Sequence, residues 1–189
     1  MIAANTVLAV FRRACIAAFG CSLAACTTPP VTPADERLDT NTGTTLTLMP
    51  RAVELVSLEP RGGQSDPFAY LGPFETNRMG ERALFLWISA PEEGAGAEPP
   101  RVRCDDALLP LVPLAESLRS IGLSAAPYTA PAPWSAQWYF RMPEEALECL
   151  SGAHRLTIET LTAGGVPERF AAGAEGLQAL AQFAARLGQ

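Results

Sequence analysis

Apolar and polar positions alternate with a period of two over much of the chain, and the period changes near the C-terminus. Residues 135–142 are the clearest case: Ala136, Trp138, Phe140 and Met142 share one side, and Ser135, Gln137, Tyr139 and Arg141 share the other. This is the pattern of a half-buried strand. Residues 153–161 alternate again, with Leu156 and Ile158 opposite Arg155, Thr157 and Glu159, and Gly164-Gly165 supplies a turn into 166–171. Ala83-Leu-Phe-Leu-Trp-Ile88 is continuously apolar, which predicts a strand covered on both faces. Residues 44–58 carry alternating and paired apolars broken by Pro50, and read as two short strands or one bent strand. Arg101–Cys104 and Ala107–Val112 form a hairpin across Asp105-Asp106, and residues 60–67 and 91–100 are loops by composition. Residues 115–122 fit a short helix or a loop, and 128–134 an extended connection punctuated by proline.

Two segments are helical by pattern. Pro143-Glu-Glu-Ala-Leu-Glu-Cys-Leu-Ser-Gly152 has Pro at its first position, acids near its positive N-terminus and Gly at its close. Leu177, Leu180, Ala181, Ala184 and Leu187 recur at helical spacing, with Glu175, Gln178, Gln182 and Arg186 opposite, so the C-terminal helix is amphipathic. The expected fold is therefore mainly β, a β-sandwich or an antiparallel sheet, with a short helix near 143–151 and a C-terminal amphipathic helix, in a single domain.

The N-terminal segment has a different character. Arg12 and Arg13 are the only charges before residue 35, and the apolar stretch 14–23 behind them is too short to span a bilayer as a helix. It ends in Leu23-Ala24-Ala25-Cys26. This resembles the lipobox of bacterial lipoproteins, and the resemblance covers only this segment. It implies a signal peptide over 1–25, cleavage before Cys26, and diacylation of the Cys26 sulfur. Small residues at 24 and 25 admit a peptidase and a thiol accepts the lipid; two or three acyl chains, at about 0.8 kcal/mol per buried CH₂, hold a protein on a membrane. An ordinary cleaved signal with Cys26 incidental is the competing reading. Thr27, where Asp is the usual inner-membrane retention signal, implies the outer membrane, facing the periplasm. Residues 26–44, rich in Pro and Thr, read as the lipidated Cys and a tether reaching about 55 Å at roughly 3.1 Å per residue, ahead of a globular domain over 45–189. Asp39-x-Asn41-x-Gly43 echoes the start of a calcium loop, but the twelfth position is Pro50, which cannot coordinate.

Composition narrows the chemistry. The 189 residues carry 14 basic side chains, all Arg, against 20 acids, for a net charge of −6. Removal of 1–25 leaves 12 Arg against 20 acids, a charge of −8. Neither balance suits a nucleic acid, and anionic head groups would repel the domain, so the lipid must do the anchoring. One His, no Cys/His cluster and no Gly-rich phosphate loop leave no metal or cofactor expected. Beyond the signal and Cys26 only Cys104 and Cys149 remain, an even pair read as a disulfide in an oxidising compartment, against two buried free thiols or a catalytic Cys. His154, without a nucleophile partner, reads as a core-edge or hydrogen-bonded residue.

The expectation is a non-enzymatic outer-membrane lipoprotein whose domain contacts another envelope protein. The alternative is a glycan- or peptide-binding module whose surface is Tyr128, Trp134 and Tyr139, with Trp138 and Phe140 in the core. A weaker alternative, an envelope hydrolase, needs two carboxylates facing one cleft about 5–9 Å apart.

Overall fold

A computed structural model describes residues 34–59, 67–91, 98–114, 117–131, 135–161 and 165–188. Eleven strands run in chain order: β1 (Asp35–Asp39), β2 (Thr44–Leu48), β3 (Val53–Ser57), β4 (Phe68–Arg78), β5 (Glu81–Pro91), β6 (Arg101–Cys104), β7 (Ala107–Leu108), β8 (Val112–Pro113), β9 (Ser135–Arg141), β10 (Leu156–Leu161) and β11 (Pro167–Ala172). The helices are α1 (Glu144–Gly152) and α2 (Ala174–Leu187), and a 3₁₀ turn covers Leu118–Ile121. The domain is mainly β, and it is a single curled sheet, not a sandwich.

All strand pairs are antiparallel, in the order β7-β6-β10-β11-β3-β4-β5-β9-β8. Three residues, Leu109 to Leu111, separate β7 from β8, yet these are the two ends of that path. Such a short link spans at most about 14 Å, so the sheet must curl until its ends meet. Leu109 is buried in the larger core at this closure.

The long hairpin β4–β5 is the spine. Its two-residue turn has positive φ at both Met79 (54°) and Gly80 (91°), the geometry whose twist matches that of paired strands. Along its other edge β4 changes partner: Phe68 to Leu71 pair with β3, and Phe74 to Asn77 pair with β2. Gly72 and Pro73 occupy the gap between them. A proline inside a strand normally removes a ladder bond, but here its missing N–H faces the gap where no strand runs.

The alternation of β5 and β9 then sorts side chains to two faces. Leu86, Ile88 and Phe140 point into the larger core with Leu150 of α1 and Leu180 and Phe183 of α2. Phe74, Phe85 and Trp87 point the other way, into a smaller core closed by Leu123 and Tyr128 of the irregular segment 117–131. Coverage on both faces explains why residues 85–90 are all buried.

Several expectations shift. The tether was drawn too long, because Asp35–Asp39 is strand β1, paired with β2 from Asp35↔Leu48 to Asp39↔Thr44. Its side chains are mostly charged and four of the five are exposed, so no apolar period marks it; backbone bonds hold it. Residues 26–33 lie outside the described residues, as do 60–66 and 92–97 of the expected loops. Residues 107–112 are not one strand: β7 pairs with β6, while Val112 pairs with Arg141 of β9. Pro143 is the N-cap of α1, one residue earlier than its expected place, with acids Glu144 and Glu145 following it. In α2 the buried face is Leu180 and Phe183, so the stripe is rotated and Ala181 and Ala184 lie on its flank.

Candidate functional site

The Cys104–Cys149 disulfide joins the end of β6 to α1, with 6.2 Å between the Cα atoms. It docks α1 against the curled sheet, and with α2 the helix forms one side of a groove of about 1020 Å³. Residues three and four apart share a helix face. Glu144, Leu147, Glu148 and Ser151 thus make one wall from α1, and Ala181, Ala184, Ala185 and Gly188 another from α2. The remaining side is sheet: Glu75, Arg82, Ala83 and Leu84 of the β4–β5 hairpin, Met142 where β9 gives way to α1, and Pro110 and Val112 at the sheet closure.

Charge in the groove is arranged around Arg82. Its Nη2 lies 2.7 Å from Glu75 Oε2 and donates at 3.2 Å to the Leu187 carbonyl at the end of α2. The hydrogen bond that Arg82 donates to Glu75, then the charge of Glu75 and that of Glu144, push the guanidinium pKa upward. Glu75 is 6 % exposed, so this pair is the polar anchor of an otherwise apolar floor. Arg141 places its cation 5.9 Å from the centre of the Phe85 ring. Among the described residues, the Glu148 carboxylate has no ion-pair partner.

The expected aromatic surface is not assembled. Tyr128 is 8 % exposed and belongs to the smaller core, stacked on Trp87 with ring centroids 5.3 Å apart. Its hydroxyl donates to the Pro73 carbonyl at 2.6 Å and accepts from the Met49 amide at 3.1 Å. Tyr128 therefore bridges the gap in the sheet where β4 changes partner, supplying bonds that a neighbouring strand would otherwise supply. A Cβ on Gly72 would fall 2.4 Å from that ring, which is why the gap contains glycine. Burial pushes the Tyr128 hydroxyl pKa up. Placing Tyr128 on a ligand surface was thus an error: the prolines flanking it made an inward-turned ring look like part of an exposed connection.

Tyr139 is half-buried beside the same core, its hydroxyl 3.4 Å from Gln137 Oε1, which also accepts from Trp87 Nε1 at 3.0 Å. Burial raises its pKa. Trp138 is only partly buried, while Phe140 is fully in the core as expected. Trp134, and the motif Leu23, Ala24, Ala25 and Cys26, lie outside the described residues. His154 is exposed, not at the core edge, and its backbone amide donates to Asp105 Oδ1. Asp39 of the calcium-like triplet accepts from the Ser124 amide and hydroxyl and from the Asn41 amide, an intramolecular clamp that lowers its pKa, the Ser124 amide contributing most.

Of the carboxylates a hydrolase reading needs, Glu75 is occupied by Arg82. Glu144 and Glu148 stand one turn apart on the same wall, so they cannot flank a bond from opposite sides. The groove itself was not foreseen. Its only sequence signals are the i, i+4 pair Glu144/Glu148 and the small residues on the flank of the C-terminal stripe.

No known family, curated protein or solved structure matches the chain.

Proposed function

We propose that the chain is an outer-membrane-anchored periplasmic lipoprotein whose β-rich domain is an interaction module for another envelope protein. The observation that carries this reading is the division of labour among its cysteines. Cys104 and Cys149 are joined to each other, which suits an oxidising compartment, and Cys26 stands at the end of the Leu23-Ala24-Ala25-Cys26 motif as the lipid acceptor. With β1 starting at Asp35, the expected tether ends before that strand. The glycan or peptide alternative loses its central residue with the burial of Tyr128.

Metabolic labelling with a fatty acid tests the anchor. The full chain takes up label and sediments with outer membranes, and Cys26→Ser abolishes both. Persistent labelling of Cys26→Ser would overturn the reading.

A further inference from the structure

β9 stops short of the end of β5. The two pair from Pro91↔Ser135 to Phe85↔Arg141, the Met142 amide donates to the Leu84 carbonyl at 2.9 Å, and Pro143 then turns the chain into α1. β5 extends further, to Glu81, still paired with β4 on its other side through Arg82↔Asn77. Backbone groups of residues two apart in a strand point to the same side. The N–H and C=O of Arg82 therefore point, like the Leu84 carbonyl, into the lane that β9 has left. The groove lies along that lane, lined by Arg82, Ala83 and Leu84 on one side and by Leu147, Ala184 and Ala185 on the other.

Two other open edges are guarded. β1 carries four charges in five residues, and Pro113 of β8 occupies the position whose amide would face outward, since the neighbouring Leu114 amide is turned inward to Tyr139. The lane beside Arg82 is lined in part by Ala83, Leu84, Leu147, Ala184 and Ala185, and the stretch of β5 that borders it, Glu81 to Leu84, contains no proline. The guanidinium of Arg82 is held by Glu75 and the Leu187 carbonyl.

We propose that this lane is a strand-addition site for an extended, apolar segment of another protein that carries a basic side chain; the proposal rests on the interaction-module reading. Main-chain bonds to Arg82 hold the segment, and alternate side chains enter the apolar groove. Charge selects the occupant. Arg82 is satisfied by Glu75, Arg141 is stacked on Phe85, and Glu144 and Glu148 are left as acidic groups on the α1 wall. The net charge of −6 draws cationic segments over longer range.

The probe is a fluorescent, end-blocked peptide Val-Ser-Arg-Ser-Val, whose first, third and fifth side chains share one face, with Val-Ser-Glu-Ser-Val as its acidic counterpart, added to the purified full chain. The basic peptide binds, slows amide exchange at Arg82 by about tenfold, as a newly formed backbone hydrogen bond requires, and outcompetes the acidic one by about threefold. Glu144→Gln combined with Glu148→Gln, both at exposed positions, removes that preference while Arg82 remains protected. Unchanged exchange at Arg82 with saturating peptide, or equal binding of both peptides, overturns the proposal. So does a dimer that protects Arg82 without peptide, which would make a second copy the occupant. Photoreactive residues at Ala185, in the groove, and at Val56, on the exposed outer face of β3, separate the two readings in membranes. Crosslinks to an envelope protein from Val56 alone overturn the lane and leave the interaction module standing; crosslinks from neither overturn both.

Discussion

The two faces of the β4–β5–β9 region are covered by different means. On one, α1 and α2 bring Leu150, Leu180 and Phe183 onto a large core, and a disulfide fixes α1 in place. On the other, the irregular segment 117–131 lies over Phe74, Phe85 and Trp87 and closes the core with Leu123 and one tyrosine hydroxyl. The helical side holds by summed burial, so its loss is global. The loop side holds by a few specific bonds at a break in the sheet, so its loss starts locally. A sheet can thus carry an interruption in mid-strand, provided a side chain replaces the missing neighbour.

The largest break in this comparison is Phe183→Ala. Phe183 is fully buried, and its truncation costs about 3–5 kcal/mol, read as a drop in the single chemical-denaturation midpoint. The double change Cys104→Ala, Cys149→Ala comes next. Removing a link across 45 residues costs about 2–4 kcal/mol, again as a global loss in the same assay. Tyr128→Phe keeps the ring but strips the bridge, leaving the Pro73 carbonyl and Met49 amide unpaired at about 1–3 kcal/mol. Its distinguishing sign is early exchange of the Met49 amide while amides facing α2 stay protected; uniform exchange would erase the contrast between the faces. Met79→Asn sharpens the comparison from the stable side. Met79 is 97 % exposed at φ 54°, where Asn is favoured, so the variant gains about 0.5–1 kcal/mol without touching either core.

Acid gives the smallest and most local effect, at the hairpin that abuts the loop side. The Asp39 carboxyl has a lowered pKa in the folded chain, chiefly from the Ser124 amide. Its contribution is therefore complete above the ordinary carboxylate range and is lost as pH falls through the depressed folded value. The protection of the Ser124 amide, its exchange rate relative to an unstructured amide at the same pH, should fall on acidification before global unfolding, and Asp39→Asn should lower it already at neutral pH.

What could be read from the chain follows the same division. β9, α1 and α2 announce themselves through alternation, caps and a helical stripe, because regular elements bury one face and so imprint a period. The junction at Gly72-Pro73 does the opposite: two turn-like residues inside an eleven-residue strand obscure the period, and no strand was expected over 68–78. β1 was hidden because an edge strand bonded through its backbone needs no apolar face. Tyr128 was misplaced because its burial depends on a break in a sheet that only pairing reveals. The groove was illegible for a related reason: it exists where β9 ends too soon, and the absence of a partner leaves no residue pattern. The Leu23-Ala24-Ala25-Cys26 motif is the reverse case, a local sequence signal that tertiary structure does not inform.

The placement of β1 has a mechanical consequence. In a chain anchored at Cys26, tension enters the domain at the open end of the β1–β2 hairpin. The Asp35↔Leu48 pair takes the load first, and the strand would peel one pair at a time toward Asp39↔Thr44. At that point the carboxylate of Asp39, clamped to Ser124, arrests the peel before it reaches β4. In such a chain the hairpin would be a short shock absorber, resisted along the way by the Glu36–Arg186 ion pair and the Arg37–Pro127 hydrogen bond and stopped at Asp39.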